Sequence, residues 1–165
     1  MSDLSKETRA AIERIRVLED PARLRNMIAN ARRLKNAEVE REAFNRLCVV
    51  QPEATPGTVE FDVWRAIHAL EEMFRDERGK TVRLTRTRQK ITKDGEARTV
   101  SDLVLKPEAS AGFPALVERG FPGLTFEAVV LSHPKTFDDE IQQAAKDRLH
   151  GAGVDMSELL GEKES

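Results

Sequence analysis

Apolar residues recur at helical spacing along most of the chain. Leu4, Ala11, Ile12, Ile15 and Leu18 lie close to one helix face, with Ser2, Asp3 or Ser5 as candidate caps. Asp20 before Pro21 is a capping side chain followed by proline at a first helical position, and Leu24, Met27, Ile28, Ala31 and Leu34 supply the buried face of that second helix. Asn36 caps a third, in which Val39, Ala43, Leu47 and Val50 repeat by three or four beside Phe44 and Cys48. The short link between the second and third helices predicts an antiparallel hairpin. QPEATPGT, residues 51–58, carries two prolines and a glycine and reads as a linker. Beyond it, Val59, Val63, Ile67, Leu70 and Phe74 define a strong helix, and Trp64, Ala66 and Met73 widen its stripe enough for two neighbours to pack on it. This is the expected central helix.

The pattern after Gly79 is less regular. Thr81 to Lys93 reads as a helix anchored by Leu84 and Ile91. A competing expectation comes from the alternation of Thr81, Arg83, Thr85 and Thr87 with Val82, Leu84 and Arg86, which suits a strand: a small β-hairpin within 81–100, with EARTV at 96–100 returning across the KDGE turn. Thr99 with Asp102 matches a capping arrangement for a short helix through Val100, Leu103 and Val104, closed by Pro107. Ser110 starts another that ends near Gly120, and Thr125 with Glu127 opens one through Ala128 to Leu131. Thr136 with Asp139 opens the last, through Phe137, Ile141, Ala144, Ala145, Arg148 and Leu149 to Gly151. The expected architecture is a compact all-α, multi-helix bundle of about eight helices. Helices fill residues 1–50, a linker 51–58 and a helical core 59–160, with a loose tail at 161–165.

Asn30 to Pro52, NARRLKNAEVEREAFNRLCVVQP, resembles a tetratricopeptide hairpin, with small residues at the crossing and a proline after the second helix. Repeat architectures bury a core only with about three units, so this single partial repeat implies one hairpin and no solenoid.

Composition agrees with helices. Of 165 residues, 34% are charged, only 5% are aromatic and none is tyrosine, which disfavours sheet. One cysteine excludes an intramolecular disulfide framework and fits a reducing compartment. No apolar run of membrane-spanning length occurs, and the N-terminus lacks the apolar core of a signal peptide, so a cytoplasmic protein is expected.

Charge changes the picture more. The formal net charge is −2, yet residues 78–98 hold 8 basic and 2 acidic residues while residues 99–165 hold 6 and 12. Within RGKTVRLTRTRQKITK, residues 78–93, seven of sixteen side chains are cationic and none is acidic: Arg78, Lys80, Arg83, Arg86, Arg88, Lys90 and Lys93. In a helix, Arg83, Arg86, Lys90 and Lys93 fall 3, 4 and 3 apart on one face, an arrangement suited to phosphate backbones because such contacts release counterions whatever the base sequence. Thr85, Thr87 and Gln89 add polar contacts. The bland alternative is a solvated face, or ion pairs with Glu71, Glu72, Asp76 and Glu77 just upstream. A second basic segment, Pro21 to Ala37, carries Arg23, Arg25, Arg32, Arg33 and Lys35 with no acid.

Other motifs are thinner. Residues 113–131 hold two short helices about a glycine turn, as in a helix-turn-helix, but the would-be recognition helix is apolar at Ala128 to Leu131 and reads as buried. Phe121-Pro122-Gly123 resembles the turn of helix-hairpin-helix modules, with Thr125 where a second glycine belongs. His68 with Glu71 and Glu72 has ligand spacing on a helix but no second pair, so no metal and no cofactor is expected. Cys48 reads as a small core residue. Neither a phosphate loop nor a nucleophile elbow occurs.

The sequence therefore predicts a non-catalytic nucleic-acid-binding protein, contacting DNA or RNA phosphates through Arg78 to Lys93, with a regulatory role as an extension. The competing prediction, of another class, is a small adaptor or regulatory protein. Its basic face, and the acidic Asp138, Asp139 and Glu140, would then meet complementary protein partners.

Overall fold

The structure is a computed structural model that describes residues 5–161, and it divides into two compact units, residues 1–52 and 53–165. Ten α-helices and one 3-10 turn are present among the described residues, with no strand. Leu4, expected on the first helix face, and the tail from residue 162 lie outside them.

In the first unit, α1 (Lys6–Val17) is capped by Ser5, whose side chain accepts from the Thr8 N–H. Helix α2 (Pro21–Arg33) starts at Asp20, which accepts from the Ala22 N–H, with Pro21 where its missing donor costs nothing. The chain then reverses through Lys35 in the left-handed region (φ 57°). The Asn36 N–H donates to Ala31 O at 2.8 Å and the Lys35 N–H to Arg32 O at 3.1 Å, closing the helix end. Asn36 caps α3 (Ala37–Val50) through the Val39 N–H and also donates from its amide to Thr8 Oγ1 at 3.0 Å. Ala31 and Ala43 let α2 and α3 approach closely, and Ile15, Leu24, Val39 and Leu47 complete the core with them. Helices α2 and α3 pack against each other, and α1 packs on α3.

The second unit is organised on α4 (Val59–Arg78). Thr58 caps it through the Phe61 N–H, and Gly79 ends it with φ 69°. Its buried face carries Phe61, Val63, Ala66, Ile67, Ala69, Leu70 and Met73, wider than one neighbour can cover. Helices α6 (Glu96–Leu105) and α8 (Phe126–Ser132) both pack on it. Between α4 and α6 runs α5 (Thr85–Asp94), packed against α6 across Gly95, whose φ of 88° lets two helices meet at one residue. Helix α7 (Gly112–Glu118), the 3-10 turn Pro122–Leu124, α9 (Asp139–Gly151) and α10 (Met156–Gly161) complete the unit, with Phe113, Ala128, Leu149 and Leu159 in one cluster.

Three expectations are corrected. The β-hairpin within 81–100 is replaced by α5 and α6. The two-residue alternation ends at Arg86, Ile91 takes the helical position seven beyond Leu84, and the Leu84 N–H goes to the Glu71 carboxylate at 2.8 Å instead of a strand partner. Thr99 does not cap a helix: α6 reaches back to Glu96, and Thr99 is fully buried inside it with its hydroxyl lacking a hydrogen-bond partner. The last long helix is opened by Asp138, not Thr136, with Asp138 accepting from the Ile141 N–H. Helix α8 is buried at Phe126, Glu127, Ala128, Val129 and Val130, which leaves it no face for reading a groove. No helix among the described residues is long and apolar enough to cross a membrane.

Candidate nucleic-acid interface

The basic segment begins in the last turn of α4, turns at Gly79, crosses non-helical residues 80–84 and enters α5. Its position is set by one carboxylate. Glu71, buried on α4, accepts from the Leu84 N–H at 2.8 Å, from Arg88 Nε at 2.8 Å and from Arg88 Nη2 at 2.6 Å. The two parallel bonds from a guanidinium fork are the strongest form of this contact. Burial pushes the Glu71 carboxyl up, but the Arg88 fork and the Leu84 N–H together hold it below the ordinary value of 4.5, so it is ionised at neutral pH. Arg88 is raised in turn by that hydrogen bond.

Arg88 also lies over the Trp64 ring, 5.2 Å from its centroid, and the His68 ring sits 6.3 Å from Trp64 at 41°. His68 Nδ1 is 3.9 Å from Glu71. Burial lowers the His68 pKa and is the largest influence; Glu71 and Glu72 pull it up, while Arg88 and Arg83 push it down. The charge of Arg83 is therefore felt at the edge of this aromatic pair.

The seven cations separate into two sets. Arg88 faces inward. Lys90 is held between Asp94 at 2.8 Å and Asp102 at 2.7 Å, linking α5 to α6; its pKa is raised by Asp102 and then Asp94, and both carboxyls are lowered. The other five point outward. Arg78 is exposed with its guanidinium 5.1 Å from the Phe74 ring centroid, and Lys80, Arg83, Arg86 and Lys93 are exposed with no ion pair among the described residues. The predicted four-cation helical face is thus reduced. Arg83 precedes α5, Lys90 is occupied, and Arg86 with Lys93 form the outer face, seven residues or about 10.5 Å apart along the axis. Of the supporting polar residues, Thr85 and Gln89 are exposed and Thr87 is partly buried.

The first turn of α5 has no acidic residue and no side-chain cap. By contrast α3, α4 and α9 each carry two acids there, together with a capping side chain.

On α2, Arg32 grips Glu40 through Nε at 3.1 Å and Nη2 at 2.9 Å, and Arg23 is 3.8 Å from Asp20, so part of that basic segment serves its own unit. Arg33 and Lys35 are exposed.

Sequence reasoning missed the contribution of Trp64, and it named Glu71 only as one of four acids available to the segment, which its pair with Arg88 bears out in part. Trp64 was legible only as a widening of the apolar stripe, although Trp64, His68 and Glu71 stand four and three apart on α4.

A second polar cluster joins Asp62 Oδ2 to His133 Nε2 at 2.6 Å, with Arg65 3.5 Å from Asp62. The adjacent Ser132 hydroxyl donates to Ala128 O at 2.7 Å within its own helix, so it is not presented to His133 as a nucleophile. Among the described residues, no group of three or more His, Cys, Asp or Glu side chains is placed to hold a metal ion. No family model, curated protein or solved structure matches the chain.

Proposed function

We propose that this protein is a non-catalytic nucleic-acid-binding protein that holds phosphate groups with the outward cations Arg78, Lys80, Arg83, Arg86 and Lys93, and that it works in the cytoplasm. One observation carries this reading: the cations of the segment are not used up by the fold. Glu71, Asp94 and Asp102 satisfy Arg88 and Lys90, and among the described residues no ion pair holds Lys80, Arg83, Arg86 or Lys93. Arg88 and Lys90 act as braces that fix the segment, and the outer set is the phosphate-binding surface. A non-helical stretch followed by a helix, both lined with exposed cations, suits a backbone of regularly spaced anions.

The test is binding of labelled duplex and single-stranded oligonucleotides across a salt series. Affinity should fall steeply with salt. Changing Arg83, Arg86 and Lys93 together to Ala should weaken binding and flatten the log–log slope by about 0.7–0.9 for each phosphate contact removed. Lys146→Ala, at an exposed site outside the segment, should leave binding unchanged. Absence of binding at low salt would refute the proposal and favour a protein partner for the basic face.

A further inference from the structure

Trp64 is the single tryptophan of the chain, and it is only partly buried, beside the cationic segment. A tryptophan serving the core alone ordinarily finds a hydrogen-bond partner for its indole N–H. That group has no protein partner among the described residues, and Trp64 itself is partly exposed. The ring is nonetheless held firmly. Arg88 lies over it at 5.2 Å and is itself locked to Glu71 by two hydrogen bonds, while His68 stands beside it at 6.3 Å. The side chains of Arg88 and His68 remain 25% and 17% exposed. The result is a partly exposed cluster of an indole, an imidazole tilted 41° to it and a guanidinium, preorganised by a buried carboxylate.

Resting on the nucleic-acid reading, we propose that the ligand is single-stranded, with a base stacking on the Trp64, His68 and Arg88 platform while Arg83 and Arg86 hold the flanking phosphates. Duplex bases are stacked on one another and cannot reach such a platform, whereas a splayed base gains both stacking and cation contact. Residues 80–84, non-helical and exposed at Lys80, Thr81 and Arg83, lead from the end of α4 into α5, which suits a flexible backbone better than a rigid groove.

The chain carries its own reporter, since Trp64 is its only tryptophan and it has no tyrosine. Intrinsic fluorescence would be followed while adding oligothymidylate, oligouridylate and a dA·dT duplex, each of about 12 nucleotides, within the site sizes usual for single-strand binders. The expected result is quenching by both single strands and tighter binding of them than of the duplex. Trp64→Leu, read by labelled-oligonucleotide anisotropy, should lose roughly 5- to 150-fold in single-strand affinity, the usual worth of one stacked base. Trp64→Phe should recover most of that loss, and His68→Ala should give a smaller one, so that a folding defect in one variant does not decide the matter. Equal binding of duplex and single strand, with silent Trp64 fluorescence and wild-type affinity in Trp64→Leu and His68→Ala, would overturn the single-strand proposal and leave phosphate binding standing. Absence of binding to every oligonucleotide at low salt would overturn both.

Discussion

Glu71 anchors the basic segment, and Glu71→Ala isolates its effect. The substitution leaves the Leu84 N–H without its acceptor and strands the Arg88 guanidinium, which is 25% exposed on its side chain. Removing one partner of a buried ion pair costs about 3–5 kcal/mol. Water reaching Arg88 offsets part of this, which brings the expectation to about 2–4 kcal/mol. The assay is urea unfolding of the full chain at neutral pH, followed by Trp64 fluorescence, which reports on the second unit. With a urea dependence of about 2 kcal/mol per molar, the midpoint should drop by about 1–2 M. Arg88→Met combined with Glu71→Leu should recover much of the loss, because an apolar pair leaves no stranded charge. Proton linkage supplies an independent arm. The Glu71 carboxyl is held lower in the fold than in the unfolded chain, so its stabilisation is complete above about pH 4.5 and is lost as pH falls through the depressed value. Part of the acid destabilisation of the wild type should therefore be missing in Glu71→Gln. If Glu71→Ala is no more destabilising than Glu118→Ala, at an exposed site, the anchoring role is wrong.

Three further outcomes are expected. Arg148 donates to Glu127 at 2.8 Å and to Leu103 O and Lys106 O, so Arg148→Ala should destabilise the second unit by about 3–5 kcal/mol in urea unfolding. Arg148→Lys should rescue little, since an ammonium cannot reproduce the fork. Lys35→Gly, at the left-handed position closing α2, should raise the stability of the first unit by about 0.5–1 kcal/mol, measured by thermal melting monitored through helical circular dichroism. Arg86→Glu should stabilise the free protein by about 0.3–1 kcal/mol in the same melt while weakening oligonucleotide binding in the salt series.

Much of the fold follows from local chemistry that can be read in order. Asp20 before Pro21, Asn36, Thr58 and Gly79 each mark a helix end where the structure has one, because a cap acts within three residues of itself. The wide stripe of α4 likewise identifies the helix on which its unit packs. The failures occur where a distant partner decides. Thr99 and Asp102 have cap spacing, but Gly95 supplies the break earlier, Thr99 goes to the core, and Asp102 is taken by Lys90 and Arg98. The same limit affects the candidate site. Spacing within Arg78 to Lys93 identifies a cationic helix, but which cation turns inward depends on Glu71, seventeen residues before Arg88 and on another helix. Arg88 and Arg86 are equivalent by composition and opposite in role.

The start of α5 departs from the pattern of α3, α4 and α9. A helix N-terminus carries partial positive charge, and α3, α4 and α9 meet it with a capping side chain and paired acids. Helix α5 meets it with Leu84 at the cap position, Arg86 in the first turn and Arg83 just outside, each cation opposing the dipole. Helix α5 is held by Ile91, Arg88, Lys90 and the Leu84 N–H, while Arg83 and Arg86 form no ion pair among the described residues. A phosphate at that position would meet the helix dipole and both arginines with one group. Local disagreement of this kind, in a chain that caps α1 to α4 and α9 with side chains, is the kind expected at a binding surface. It is also why Arg86→Glu separates the two demands: a substitution that makes α5 a better helix should make the protein a poorer binder.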